Sequence, residues 1–276
     1  MNNESSIKLA ELEKKYTEYD DPSFVHPDPL EHVLKATSMR EAEATGLIAP
    51  SFPYGRVHAI LTITAEILGR TGFKPAEYLA GSSKSDIEHD FSDIKYRYTT
   101  ASETADFLYG IKEASCEYGS LLECFLSCLK SGEESYAQAA LRFSEKIRAY
   151  SGSERMSLLP ISGSQSPCKR LMLFFRWMVR KDNVDPGWWH DAADTSKLIV
   201  PLDTHMHSIG IDLGFTKRKN ASMKAAEEIT GNFRRFCPED PVKYDFCLTR
   251  SGIRGDGFMP EFKQKWDTAG SFEAFG

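Results

Sequence analysis

The sequence lacks long apolar runs, paired cysteines and alternating strand patterns. No stretch reaches the roughly 18 consecutive apolar residues that a membrane span needs. Residues 1–4 are polar and acidic, so no secretory signal is expected either. None of the six cysteines belongs to a Cys-x-x-Cys pair, which predicts reduced thiols in a cytoplasmic protein. The scarcity of period-two alternation argues against a sheet and favours an all-α fold.

The chain has no overall excess of positive charge, but it has local ones. Its net charge of −6 argues against indiscriminate binding to nucleic acid. From residue 151 onward, however, 18 Lys and Arg face 16 Asp and Glu. Residues 165–181 carry five basic side chains and no acidic one, and residues 214–224 carry four and none. Such clusters can hold a phosphate backbone on an acidic protein.

Helix signals recur along the chain at short intervals. Apolar spacing from Val57 predicts a largely buried helix that ends near Gly69. Residues 30–45 read as another helix, with Gly46 as its stop. Near the end, Asp240 as cap and Pro241 at the first helical position predict a helix that runs to residue 252.

A basic amphipathic helix follows the Ser-rich loop at residues 162–166. Ser166 is a suitable N-cap, and Pro167 suits the first helical position, so Lys169 is expected in the first turn. Unpaired amides, the helix dipole and Arg170 create positive potential there, which should lower the pKa of Lys169 and make its amine a better nucleophile. The alternative is an ordinary surface lysine on a solvated basic face.

The segment Pro-Leu-Asp-Thr-His-Met-His at residues 201–207 has two interpretations. Asp203 can be the N-cap of a helix that ends before Gly214. Alternatively, Asp-x-His-x-His resembles the metal-binding strand of amidohydrolases, in which His205 and His207 would bind zinc. Only 69 residues follow His207, they contain no histidine, and their pattern is helical. The sequence therefore favours two histidines on an ordinary helix, and no metal is expected.

These two segments together resemble the helix-hairpin-helix DNA glycosylase superfamily. Its signature is a hairpin, a lysine-bearing helix, and a Val-Asp-Thr-His segment that leads into Arg-Leu-Gly-Leu. Residues 202–205 (Leu-Asp-Thr-His) parallel the first tetrapeptide and residues 212–215 (Asp-Leu-Gly-Phe) the second. Lys169 falls where bifunctional members carry their nucleophile, and residues 46–68 and 240–252 resemble an early and a late family helix.

The chain is also similar to a widespread bacterial family of unknown function. The hallmarks of that family are Lys-Arg-Leu-x-Leu-Phe-x-Arg-Trp-Met-Val-Arg, at residues 169–180, and Pro-Leu-Asp-Thr-His-Met-His, at residues 201–207.

Three features depart from the glycosylase pattern. Leu-Pro-Ile-Ser-Gly-Ser at residues 159–164 replaces Leu-Pro-Gly-Val-Gly, whose glycines let backbone amides approach a phosphate. Lys169 and Asp203 lie 34 positions apart, a spacing closer to the archaeal 8-oxoguanine glycosylase type than to the endonuclease III type. The four-cysteine iron–sulfur motif is absent, so no cofactor is expected.

The resemblance implies a DNA repair enzyme, a glycosylase with lyase activity toward abasic sites. A damaged base, for which an oxidised purine is one candidate, would leave the duplex stack and enter a pocket. Lys169 would attack the sugar C1′ and form a Schiff base, while Asp203 would stabilise positive charge or accept the lysine proton. Contacts to nucleic acid are expected from a set of polar and basic side chains: Ser164, Ser166, Arg170, Arg176, Arg180, Lys217, Arg218 and Lys219.

The same resemblance implies a base pocket and a domain arrangement. Trp177, Trp188 or Trp189 would stack on the base, with core packing as the alternative for each. His205 and His207 would position Asp203 or a phosphate. Two helical subdomains with a cleft between them are expected, residues 46–195 and residues 1–45 with 196–276. The expected partner is DNA, bound by a monomer. Two other functions stay open: a non-catalytic nucleic-acid-binding protein on the same fold, and a metal-dependent hydrolase.

Overall fold

The computed structural model of the chain describes residues 3–52, 55–151, 156–161, 163, 165–254 and 257–270. Across these residues the chain forms fourteen α-helices and no strand, which confirms the predicted all-α class. A single isolated β-bridge joins Tyr96 to Thr99. Over the same ranges, no helix combines the length and the apolar character that crossing a bilayer requires.

The helices differ widely in length. Short 3-10 helices lie at Pro22–Phe24 and Thr195–Lys197. The α-helices, in chain order, are α1 (Asn3–Tyr19), α2 (Leu30–Val33), α3 (Met39–Ile48), α4 (Val57–Arg70), α5 (Pro75–Gly81), α6 (Lys84–Asp90), α7 (Ala101–Tyr118), α8 (Leu121–Leu126), α9 (Ala137–Ala149), α10 (Lys169–Val179), α11 (Thr204–Asp212), α12 (Met223–Arg234), α13 (Asp245–Arg254) and α14 (Met259–Thr268).

The contacts divide the chain into two compact units. The first contains the described residues up to Phe24, Gln165–Asp185 and those from His190 onward. The second contains the described part of Val25–Ser164 together with Pro186–Trp189. Helix α10 thus belongs with both termini, whereas the sequence-based division assigned it to residues 46–195. One of its buried ion pairs, between Arg176 and Asp245, joins α10 to a residue 69 positions later in the same unit.

In the second unit, helix α7 packs against α5, α6, α8 and α9. The ring of Phe125 stacks on Trp189, with centroids 5.8 Å apart, and meets Phe143 edge-on at 6.2 Å. Gly110 lets α7 and α9 approach closely, because a Cβ atom there would lie 2.6 Å from the carbonyl oxygen of Ile147. Small side chains and stacked rings therefore set the spacing of these helices.

In the first unit, helix α1 and helices α10–α14 enclose a second core. Phe215 lies near its centre, with ring centroids 4.9 Å from Phe233 and 5.6 Å from Trp266. Trp177 on α10 is 1% exposed and belongs to this core. Gly210 allows α11 to contact α12, because a Cβ atom there would lie 2.4 Å from the Ile229 side chain.

Local helix signals were right in some places and wrong in others. The helix predicted from Val57 is confirmed as α4, which ends at Arg70. The single helix predicted over residues 30–45 is instead two, because Ser38 starts α3 by accepting a hydrogen bond from the Glu41 amide. Gly46 does not stop a helix but lies buried within α3. The helix predicted from Asp240 begins at Asp245.

Candidate functional site at the starts of two helices

Helix α10 begins at Lys169, so the amine lies in the first turn, as predicted. Its N-cap is Cys168, a residue in the left-handed conformation with φ 49°, and its side chain makes no capping hydrogen bond. Ser166 lies two positions before this cap, and its hydroxyl accepts a hydrogen bond from the Cys168 amide at 3.2 Å. The prediction of Ser166 as cap and Pro167 as first helical residue was therefore wrong by two positions.

Helix α11 begins immediately after Asp203, which confirms the N-cap interpretation of this segment. The Asp203 carboxylate accepts a hydrogen bond from the Met206 amide through Oδ1 at 2.8 Å. At the other end Gly214 has φ 75°, and the amide of Phe215 donates to the Gly210 carbonyl oxygen at 2.8 Å. Both ends of the helix are thus closed by local chemistry.

The structure brings Lys169 and Asp203 together. The Lys169 Nζ lies 2.9 Å from Asp203 Oδ2, and the two side chains are 40% and 21% exposed. Burial would raise the pKa of the Asp203 carboxyl, but the charge of Lys169 and the Met206 amide outweigh it and hold that pKa below its usual value. Asp203 is therefore an anion whose two oxygens have different partners. Oδ1 binds the Met206 amide at the start of α11, and Oδ2 lies beside the partly exposed Lys169 amine.

Asp245, which the sequence analysis missed, lies buried near this pair. It begins α13, and its Oδ2 accepts a hydrogen bond from Arg176 Nη1 at 2.6 Å. Burial raises the pKa of Asp245 to about 6. The positive charge of Arg176 opposes this rise, and the negative charge of Asp203 adds to it. Nothing local in the sequence marks this aspartate, since its partner lies 69 positions earlier.

Arg176 and Arg180 are buried, although the sequence analysis assigned them to an exposed nucleic-acid surface. Each side chain is 3% exposed. Both pair with Asp185, at 2.9 Å for Arg176 and 2.7 Å for Arg180. Arg180 also pairs with Asp182 and Asp240. The expected surface contacts are thus replaced by an internal ion-pair network. Asp182 and Asp185 come from the segment just after α10, whereas Asp240 lies 60 positions after Arg180 and Asp245 lies 69 positions after Arg176.

The remaining predicted contact residues lie mostly at the surface. Lys217, Arg218 and Lys219 form an exposed loop after α11, where Arg218 Nε pairs with Glu228 Oε1 at 2.7 Å. Ser166 is exposed and Arg170 is half-buried. Ser164 lies outside the described residues.

The predicted aromatic and histidine positions are scattered. Trp177 packs in a core, and Trp188 is half-buried in the other unit. On α11, His205 is exposed, whereas His207 is 8% exposed with Nε2 3.0 Å from the Arg218 carbonyl oxygen. Residues two positions apart in a helix point to different sides of it, so His205 and His207 do not face each other. In the part of the chain that is described, no three His, Cys, Asp or Glu side chains are grouped to hold a metal ion.

Comparison with known proteins gives one match. A family model described as "Protein of unknown function (DUF2400)" matches residues 28–254. No curated protein matches the chain, and no solved structure matches it. The matched residues include both α10 and α11, and so the Lys169–Asp203 pair.

Proposed function

The chain belongs to the DUF2400 family, and we propose that it is a DNA repair enzyme that removes a damaged base through an amine–carboxylate pair. The observation that carries the proposal is the 2.9 Å approach of Lys169 Nζ to Asp203 Oδ2, with 40% of the lysine side chain exposed. A reactive amine must reach its substrate and lose a proton, and this pair offers an accessible amine beside a proton acceptor.

In the proposed reaction, the neutral Lys169 amine attacks C1′ of the damaged nucleotide. The Nζ–C1′ bond forms as the N-glycosidic bond breaks, and the base leaves with the bonding electrons and takes up a proton. The C1′–O4′ bond then breaks, O4′ takes up a proton, and a protonated Schiff base forms. This makes the C2′ proton acidic, so that its loss to solvent accompanies cleavage of the C3′–O bond and departure of the 3′ phosphate. Asp203 accepts the proton that Lys169 loses and stabilises the positive charge that develops at the sugar.

Electrostatics support the second of these roles, the stabilisation of positive charge at the sugar. The pKa of Asp203 is held below its usual value, so the carboxylate is charged at neutral pH. Its Oδ1 is fixed by the Met206 amide, so Oδ2 has a defined position beside the amine. Preorganised charge of this kind needs little rearrangement as a cationic sugar forms.

Borohydride trapping tests the proposal. The wild-type protein is incubated with duplexes that contain one abasic site or one 8-oxoguanine, and the Schiff base is reduced with sodium borohydride to a stable amine. We expect a covalent adduct with wild type and none with Lys169→Ala. Asp203→Asn should slow adduct formation by about 100-fold, the usual scale of a lost acid–base group. Lys130→Ala, at an exposed lysine of the other unit, controls for unspecific trapping.

A second candidate, nucleic-acid binding without catalysis, is favoured by the exposed loop at Lys217–Lys219. Arg218 is paired with Glu228, but Lys217 and Lys219 form no ion pair with the described residues. We assume that each of these two lysines contacts one phosphate. A plot of log affinity against log salt concentration should then have a slope about 2 units smaller in the double variant Lys217→Ala/Lys219→Ala than in wild type.

Anisotropy with a labelled duplex measures that slope. Binding that depends on Lys217 and Lys219, without any trapped adduct on either lesion, would support the second candidate and reject the enzyme. An adduct that persists in Lys169→Ala would reject Lys169 as the nucleophile.

A further inference from the structure

The second unit contains a cavity that the proposed reaction does not use. Its volume is about 440 Å³, within the usual range for small-molecule sites. Helices α3, α5 and α7 provide its walls, and its lining residues in the described chain belong to that one unit. Ala44, Leu79, Ala80 and Ile111 supply an apolar surface. A cavity of this size and lining suits the apolar body of a small organic molecule.

The three acidic side chains in the lining already have partners. Glu77 pairs with Lys74, whose Nζ lies 3.0 Å from Glu77 Oε2. Glu41 accepts hydrogen bonds from the Ala76 amide at 2.9 Å and from the Glu77 amide at 3.0 Å. Glu43 accepts from the Leu121 amide at 3.0 Å and from the Leu122 amide at 3.1 Å, and Trp189 Nε1 donates to it at 2.9 Å. The charges of Glu41 and Glu43 are therefore offset by the donors at two helix starts, and that of Glu77 by Lys74.

The basic side chains in the lining are in a different situation. Arg40 is exposed and makes no hydrogen bond or ion pair with any described residue. Lys112 donates to the Ser82 carbonyl oxygen, which is neutral, and forms no ion pair within the described chain. The cavity thus joins an apolar wall to two cations that form no ion pair with a described carboxylate, although Arg40 interacts electrostatically with Glu43 and Lys112 with Asp86. Charge complementarity favours an anion at the Arg40 end.

We infer that this cavity binds a small organic anion, with its acidic group at Arg40 and Lys112 and its apolar body against Leu79, Ala80 and Ile111. The site is separate from Lys169 and Asp203, so it stands or falls independently of the proposed repair chemistry. Cys116 lies in the cavity lining and is exposed. It therefore provides a chemical reporter at the site.

Two fluorescent probes test the inference on the full chain. One is 8-anilinonaphthalene-1-sulfonate, an aromatic anion, and the other is N-phenyl-1-naphthylamine, its uncharged counterpart. We expect the anion to bind about tenfold more tightly than the neutral probe, as a charge-assisted contact predicts. Arg40→Ala should remove most of this difference, whereas Arg56→Ala, at an exposed arginine on the start of α4, should leave it unchanged.

A filling variant locates the probe. Ala80 is exposed and lines the cavity, so Ala80→Trp can occupy the space from the solvent side without displacing the core. It should weaken both probes by about tenfold or more. Ala10→Trp, at an exposed alanine on α1, should not. Circular dichroism on each variant separates lost binding from lost folding.

Alkylation of Cys116 gives an independent readout. The sulfonate probe should slow iodoacetamide modification of Cys116, followed by peptide mass mapping, and should leave the half-buried Cys237 unaffected. Anionic binding that survives both Arg40→Ala and Ala80→Trp, or that leaves Cys116 unprotected, would overturn the inference. So would equal affinity for the charged and the neutral probe.

Discussion

At the scale of single residues, Asp203 links two helices by dividing its carboxylate between them. Oδ1 accepts from the Met206 amide at the start of α11, and Oδ2 pairs with Lys169 at the start of α10. Asparagine can retain the first contact but not the charge, and alanine retains neither. Substitutions at this one position therefore separate the helix cap from the ion pair.

We predict that Asp203→Asn lowers the free energy of unfolding at pH 7 by about 0.5 kcal/mol, because the Lys169 side chain is partly exposed and its pairing is screened. Asp203→Ala should lose about 1 kcal/mol more with the cap. Since the folded pKa is depressed, the ion-pair contribution is present above the ordinary aspartate pKa and is lost as pH falls below about 4. Urea denaturation at pH 7 and pH 3 measures this; an unchanged difference at pH 3 would contradict it.

Asp245 should have the opposite pH dependence. Its folded pKa of about 6 lies above the unfolded value, so the folded chain binds the extra proton between about pH 4 and 6. The unfolding free energy of wild type relative to Asp245→Asn should therefore fall as pH rises through that window, by about 2 to 3 kcal/mol in total. Parallel stability curves for the two proteins from pH 4 to 7.5 would contradict this assignment.

The local parts of the site could be predicted from the sequence, whereas the contacts between distant residues could not. The cap at Asp203 follows from one residue type before a helix and a glycine after it, which are short-range signals. The approach of Lys169 to Asp203 came from family resemblance, because no periodicity links positions 34 apart. Arg176 and Arg180 were misplaced in part for the same reason. Their spacing suggests an exposed stripe, whereas their burial depends on the distant Asp240 and Asp245 as well as on the nearby Asp185.

At the scale of elements, two glutamates on α3 act as N-terminal caps for other helices. Glu41 accepts from two amides at the start of α5, and Glu43 from two at the start of α8. The usual cap comes from the residue just before a helix, as Ser120 does for α8. At α8 the Glu43 carboxylate adds to that cap, whereas at α5, whose N-cap Lys74 makes no side-chain capping bond, the Glu41 carboxylate takes its place. Sequence patterns indicated where helices form, with errors at several helix ends, but could not show that one helix stabilises the start of another.

We predict that Glu43→Ala lowers the free energy of unfolding by about 3 kcal/mol or more. The substitution leaves two amides and the Trp189 indole N–H buried without their acceptor, and each such group costs about 1 kcal/mol or more. Burial raises the pKa of Glu43 against these donors, so Glu43→Gln, which keeps an acceptor oxygen, should lose less than alanine does.

Glu41→Ala is the matched comparison. It removes the same kind of cap from α5, but its donors lie closer to solvent, and water can replace the carboxylate there. We therefore expect a loss of about 1 kcal/mol. Urea denaturation of the two variants gives both values, and equal losses would mean that burial does not decide the strength of these caps.

At the scale of the whole molecule, the two ends of the chain join in one unit. Helix α1 packs against α13 and α14. Lys8 Nζ donates to the Gly270 carbonyl oxygen at 2.7 Å and lies 5.0 Å from the centre of the Trp266 ring. Both α1 and α14 lie outside the residues that match the family model, 28–254. Their contacts are the most distant in sequence, so no local pattern could have predicted them.

Trp266 should hold these terminal helices together. It is 2% exposed, contacts Phe215 and Phe262, and donates from Nε1 to the Leu213 carbonyl oxygen at 3.2 Å. Trp266→Ala should lower the free energy of unfolding by about 3 to 5 kcal/mol, as the truncation of a buried aromatic does. Within the first unit, the loss should fall first on α1, because its contacts with α14 depend on this ring.

Hydrogen exchange followed by mass spectrometry resolves that order. In Trp266→Ala, amides of α1 and α14 should exchange at least tenfold faster than in wild type, because local opening becomes easier where buried contacts are lost. Amides of α7, in the other unit, should change least. Ile211→Ala, at a side chain that is 46% exposed in the same unit, is the control and should leave α1 unchanged. Uniform acceleration across α1 and α7 would show instead that the chain opens as one cooperative structure, with no separate role for its joined ends.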